Sequence, residues 1–319
     1  MPLLSDIYKL KRTQWNAAVE EMKRLEEENN RIFIDAYGLQ EELTPDVPLK
    51  EITLTCNPVY RYGEGDAADL EKRFLADTMK ELLSYAVGCA MGRYSLDEPG
   101  LIYAHAGNVG FDKNRYKTFP ADLDGIIPVL DRDWFSDDMA QRFEEFLTTS
   151  FGKTYLRENL QFVEAALDKS VRDFFAKDFF NDHVKRYKKR PIYWLFSSGK
   201  LKAFQCLVYL HRYNAGTLSR MRTEYLVPLQ AKITGRLERL ESERKTAGST
   251  AAGKRLDKER DLLLKQAEEL RAYDEKLRHY ADMRIELDLD DGVKVNYGKF
   301  GDLLASVKDI TGEKPSTDI

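Results

Sequence analysis

Between His183 and Arg222 the chain places ten cations, Lys185, Arg186, Lys188, Lys189, Arg190, Lys200, Lys202, Arg212, Arg220 and Arg222, and no Asp or Glu in 40 positions. Charged residues make up 33% of the sequence, so an acid-free window this long is either an anion-seeking surface or a run of cations answered by carboxylates elsewhere. Phosphate binding is the chemistry it suits, because Lys and Arg release the counterions condensed on nucleic acid. Tyr187, Tyr193, Trp194, Phe196, Phe204, Tyr209 and Tyr213 are interleaved with these cations. Exposed rings of that kind stack on bases, yet taken singly each is better read as core packing. The ten cations are expected to touch nucleic acid.

Other spacings promise less. Asn57-Pro58-Val59-Tyr60 differs at its third residue from the Asn/Asp-Pro-Pro-Tyr tetrapeptide that holds a flipped base, and no Gly-rich strand-turn-helix for S-adenosylmethionine precedes it. A turn ending a strand is expected there. Ser197 to Lys200 has the Ser-x-x-Lys spacing of penicillin-recognising enzymes without the companion motifs, and Trp194 stands where a phosphate loop needs Gly. Aligning Gly292 in a calcium loop puts Leu287 and Leu289 at ligand positions. Asp274-Glu-Lys276 has a nuclease spacing but falls in a helical pattern. His105, His183, His211 and His279 have no Cys or His partner at metal spacing, and Cys56, Cys89 and Cys206 form neither a disulfide framework nor a zinc pattern. No catalytic, cofactor-binding or metal-binding residue is expected in the chain.

These residues need elements to hold them. The 319 residues are 43% apolar with a net charge of −4, too apolar for a disordered chain and too charged for a membrane protein. Removing the +10 strip leaves −14 on the other 279 residues. The longest apolar run, Tyr85 to Met91, falls far short of the roughly 18 residues of a membrane span. Asp6, Lys9, Lys11 and Arg12 interrupt any signal-peptide core, so the expected location is cytoplasmic, with no membrane partner.

Periodicity predicts a long opening helix with Ile7, Leu10, Trp15, Ala18, Met22 and Leu25 on one stripe, a short strand over Glu51–Cys56, and a helix over 66–91. Six Asp and one Arg between Asp122 and Asp138 surround a short apolar strand that leads into a helix over 136–148. Helices over 155–168 and 171–187 follow. Leu226, Leu229, Ile233, Leu237 and Leu240, then Leu256, Leu263, Ala267, Leu270, Tyr273 and Leu277, give two heptad-like stripes on either side of Ala247-Gly248-Ser249-Thr250. They predict an antiparallel helical hairpin of coiled-coil type projecting about 25 to 35 Å, with Pro228 kinking or starting its first arm. Asp291-Gly292 between alternating apolar residues predicts a small C-terminal β-hairpin before a last short helix.

The expected fold is mainly α with minor β. Its expected divisions are an N-terminal helical region with short strands (1–130), a helical region ending in the basic strip (131–222), the hairpin (223–282) and a C-terminal β-hairpin and helix (283–319).

Longer blocks resemble a known family. Glu28-Asn-Asn-Arg-Ile-Phe-Ile-Asp-Ala-Tyr-Gly-Leu39, Glu51-Ile-Thr-Leu-Thr-Cys-Asn-Pro58, Ala86-Val-Gly-Cys89, Gly92-Arg-Tyr-Ser-Leu96, the stretch His183 to Ser198 and Asp288-Leu-Asp-Asp-Gly-Val-Lys-Val-Asn-Tyr297 occur in order. They resemble the C-terminal third of PglX, the adenine-specific DNA methyltransferase of BREX phage-defence systems, which is related to single-chain type II restriction-modification methylases. The resemblance implies a parent enzyme that methylates adenine N6 with S-adenosylmethionine. The family's cofactor and catalytic motifs lie upstream of the matched stretch. The resemblance therefore implies a non-catalytic C-terminal fragment, inactive alone, that contributes binding of double-stranded DNA through the ten cations and target recognition. The alternative is a module that docks other phage-defence proteins through the helical hairpin.

Overall fold

The computed structural model describes residues 3–246 and 249–314. Its helices and strands follow in chain order: α1 (Leu4–Tyr37), α2 (Pro58–Tyr62), α3 (Ala67–Ala90), β1 (Ile126–Pro128), α4 (Met139–Phe151), α5 (Leu156–Leu167), α6 (Val171–Lys177), α7 (Phe179–Arg186), β2 (Tyr193–Ser197), β3 (Gln205–Tyr209), α8 (Thr217–Arg220), α9 (Val227–Thr246), α10 (Thr250–Asp282), α11 (Gly292–Gly298) and α12 (Val307–Thr311). The fold is mainly α with one small sheet. The chain forms two compact units, one of residues 1–82 with 147–169 and the other of 83–146 with 170–319.

In the first unit, α1 buries Leu4, Val19 and Ile34. Val19 packs with Val47 and Ile52, and Met22, Leu54 and Cys56 flank them. The stripe expected to face the core is shallower than its spacing predicts, with Leu10 and Leu25 largely exposed. Arg12 spans the gap to α3, ion-paired to Glu71 and lying 4.8 Å over the Phe74 ring. Leu4 N–H is capped by Asn159 of α5 at 2.8 Å.

The strand expected over Glu51–Cys56 does not form. A 3₁₀ turn covers Leu49–Glu51, and the Asn57 carboxamide donates to the Leu49 and Ile52 carbonyls at 2.7 and 2.9 Å. A side chain thus takes the acceptors a ladder would need. The Asn57 oxygen caps α2 by accepting from Val59 N–H. The amide is spent internally, and no base-binding tetrapeptide is presented.

The second unit is built on the antiparallel sheet β1-β3-β2, with Trp194 opposite Val208 and Ile126 opposite Val208 on the other side. β2 and β3 are buried on both faces, which explains their near-continuous apolar sequence. Trp194 and Phe196 meet Phe300 edge-on, and Trp194 also meets Tyr297.

Helix α8 passes through a π-turn at Met221–Leu226 into α9. That wider turn absorbs the N–H missing at Pro228, so the helix continues through the proline without breaking. α9 and α10 are antiparallel, since Arg236 pairs with Glu259 and Arg244 with Asp257. Of the predicted reversal, Ala247 and Gly248 lie outside the described residues; Ser249 caps α10 by accepting from Ala252 N–H.

The expected C-terminal β-hairpin is replaced by a 3₁₀ turn at Leu289–Asp291 and the helix α11. Asn296 decides it. Its amide donates to the Asp288 and Gly292 carbonyls, and its oxygen accepts from Asp288 N–H. Tyr297 on α11 and Phe300, two residues past its end, are then both fully buried, a pattern that the alternation of Val293, Val295 and Tyr297 conceals.

Candidate nucleic-acid interface

The strip's apolar residues form the centre of the second unit, and its rings are core. Tyr193, Trp194, Phe196, Phe204, Tyr209 and Tyr213 are all buried, which leaves only Tyr187 partly exposed and excludes base stacking by the other six.

The cations divide by what holds them. Arg212 is 1% exposed; its guanidinium donates to the Asp122 and Leu123 carbonyls at 2.6 and 2.8 Å and to Asn108 at 3.0 Å, and lies 3.8 Å over Phe111. It is a core clamp closed to ligands. Arg222 forks onto Asp274 at 2.6 and 3.0 Å, Arg186 onto Asp182 at 2.5 Å, and Arg220 faces Glu224 at 3.6 Å. Lys202 donates to the Ala176 carbonyl. Lys185, Lys188, Lys189, Arg190 and Lys200 are exposed and carry no ion pair among the described residues.

Four of these five share one turn. α7 ends at Arg186, and Lys188 and Lys189 follow at φ of 48° and 63°, a left-handed pair that reverses the chain towards β2. The turn is closed by His183 at both ends. Its carbonyl accepts from Tyr187 N–H at 3.0 Å, while its Nε2 accepts from Ile192 and Tyr193 N–H at 3.0 and 3.1 Å. The ring lies 5.9, 4.5 and 4.9 Å from those of Phe179, Tyr187 and Tyr193. Burial, reinforced by the charges of Arg93 and Arg186, holds the imidazole pKa down at about 3. A neutral acceptor is thereby obtained without a carboxylate that would cancel the surrounding cations.

Lys200 sits at the other end of β2, roughly 17 Å along a five-residue strand. There Glu269 of α10 accepts from Ser198 Oγ at 2.6 Å, Leu201 N–H at 2.8 Å and Ala203 N–H at 3.1 Å, answering the acid-free strip from another element.

The acidic segment faces elsewhere. Asp122, Asp124, Asp137, Arg220 and Tyr225 line a cleft of about 700 Å³. Tyr225 donates to Asp124 at 3.2 Å, and burial beside Asp122 pushes the Asp124 carboxyl up to about 8. Asp274 and Lys276 are committed to ion pairs with Arg222 and Asp302. No cluster of three or more His, Cys, Asp or Glu suited to a metal occurs among the described residues, and no helix is long and apolar enough to cross a membrane.

No family model matches the chain. It is 52% identical over 315 residues to the adenine-specific methyltransferase BrxX of Escherichia coli O9:H4 (strain HS), covering 93% of this chain and 26% of that protein. It is 40% identical over 300 residues to the adenine-specific methyltransferase PglX of Lacticaseibacillus casei (strain Zhang), covering 90% and 23%. The chain spans about a quarter of the length of these curated relatives. Over nearly its whole length it is similar to a C-terminal region of the BREX adenine-specific methyltransferases.

Proposed function

We propose that this chain is the non-catalytic, DNA-engaging region of a BREX-type adenine-N6 methyltransferase, gripping phosphate and contributing to recognition of the target site. One observation carries the reading: Lys185, Lys188, Lys189 and Arg190 stand exposed and unneutralised on a turn that His183 closes at both ends. Pre-positioned cations bind phosphate at low cost in ordering. In a whole methyltransferase, S-adenosylmethionine would supply the methyl group. The nearest resemblance to a base-binding motif in this chain, Asn57 to Tyr60, has its carboxamide occupied and does not fit that role.

The test is duplex binding by the chain with Lys185, Lys188, Lys189 and Arg190 all replaced by Glu. Affinity is expected to fall at least a hundredfold at 0.1 M salt, with the fold retained. Unchanged affinity would sink the reading.

Leu262 and Leu264, exposed on α10, favour a second role in which the hairpin docks another defence protein. A Leu262→Lys, Leu264→Lys variant would then lose that partner while binding DNA normally.

A further inference from the structure

We infer that Arg93 is a further phosphate-contacting residue, extending the cationic surface of the Lys185–Arg190 turn from a distant part of the sequence. The inference rests on the phosphate-gripping role proposed above.

Among the described residues every other part-buried arginine faces a carboxylate, as in the pairs Arg12–Glu71, Arg172–Asp138 and Arg222–Asp274. Arg93 faces none. Its Nη1 donates to Tyr209 Oη at 3.0 Å and its Nε to Tyr94 Oη at 3.2 Å, and neither partner is a carboxylate. A guanidinium has five N–H donors in a planar fork, so three remain for an oxyanion. Holding a cation partly out of water with no counter-charge is costly, and a bound anion removes that cost.

Position supports the assignment. A chain of rings runs from Arg93 to the basic turn: Tyr209 lies 5.5 Å from Tyr193, Tyr193 4.9 Å from His183, and His183 4.5 Å from Tyr187. The charge of Arg93 helps keep His183 unprotonated, so the two are electrostatic neighbours. Arg93 also lies 5.4 Å over the Tyr94 ring, which stacks on the exposed Tyr85 at 5.5 Å. The guanidinium is therefore fixed in place before any ligand arrives. Rigid geometry and a phosphodiester's negative oxygens match a forked, charge-assisted hydrogen bond.

The experiment compares wild-type chain, Arg93→Gln, Arg93→Lys and the four-charge reversal of the turn in binding a mixed-sequence duplex over a range of salt. Arg93→Gln is expected to weaken binding roughly tenfold at 0.1 M salt and to reduce the slope of log K against log salt by about one, with Arg93→Lys restoring the slope. Weakened binding with an unchanged slope would assign Arg93 a purely structural part and overturn the inference. Full binding by Arg93→Gln, with binding abolished by the four-charge reversal, would overturn it and leave the turn's role standing. Full binding by both would remove the phosphate-gripping role itself.

Should Arg93→Gln fail to fold, the Arg93 Nε–H resonance of the unmodified chain decides. It should shift on titration with duplex, and a resonance that does not move overturns the inference.

Discussion

His183 shows how a residue with no chemistry of its own organises a charged surface. Substituting Ala leaves the buried Tyr193 N–H and the part-buried Ile192 N–H without an acceptor, a cost of about 2 to 4 kcal/mol. His183→Ala is expected to lower unfolding free energy by that amount in urea titration and to weaken duplex binding, although no charge on the turn has changed. Protonation acts the same way. The folded imidazole stays neutral down to about pH 3 against an ordinary 6.5, so between those values the unfolded chain binds the extra proton, and the stability due to His183 is lost as pH falls. Asp124 has the opposite sign. Its carboxyl, raised to about 8 from an ordinary 3.8, keeps its proton in the folded state, and its contribution is lost as pH rises towards 8. Asp124→Asn should shrink the loss of stability between pH 6 and pH 8, measured by denaturant unfolding at each. An undiminished difference would assign it to other groups. The spacing of the four histidines excludes a metal pattern but says nothing of this clamp, because its partners are backbone N–H groups that the chain brings back nine and ten residues later.

At the scale of elements, the long helices were readable because their stripes persist over many turns, as in α3 and the arms α9 and α10. The elements misread are short ones settled by a side chain that competes for backbone groups: Asn57 prevents a strand and Asn296 converts an expected hairpin into α11. The cations were likewise visible and their pairing was not. Asp182 lies one residue before the acid-free window and Glu224 two after it, yet a helix places each four positions from an arginine inside, while Asp274 and Glu269 arrive from α10. Arg93 escaped the count altogether, being 90 residues upstream of the window's first residue, and its missing carboxylate shows only in three dimensions. Glu269 binds the β2–β3 turn to α10, so Glu269→Ala should destabilise the chain by about 2 to 3 kcal/mol in urea titration while the duplex salt slope changes by less than one. A slope lost along with stability would mean that Lys200 and its turn belong to the DNA contact after all.

For the whole molecule, the net charge of −4 is a poor guide to partners, since the acids and the free cations occupy different places. Asp122, Asp124 and Asp137 line one cleft; Lys185, Lys188, Lys189 and Arg190 share one turn. Association with DNA through such a turn is governed by counterion release, and overall charge contributes little at salt concentrations where the screening length is about 10 Å. The most direct measurement is therefore the salt dependence of duplex binding by the unmodified chain. The account predicts that log K falls linearly with log salt, with a slope of about −3 to −5 for the four cations of the turn and Arg93. Binding that ignores salt, or no binding to duplex at low salt, would contradict it.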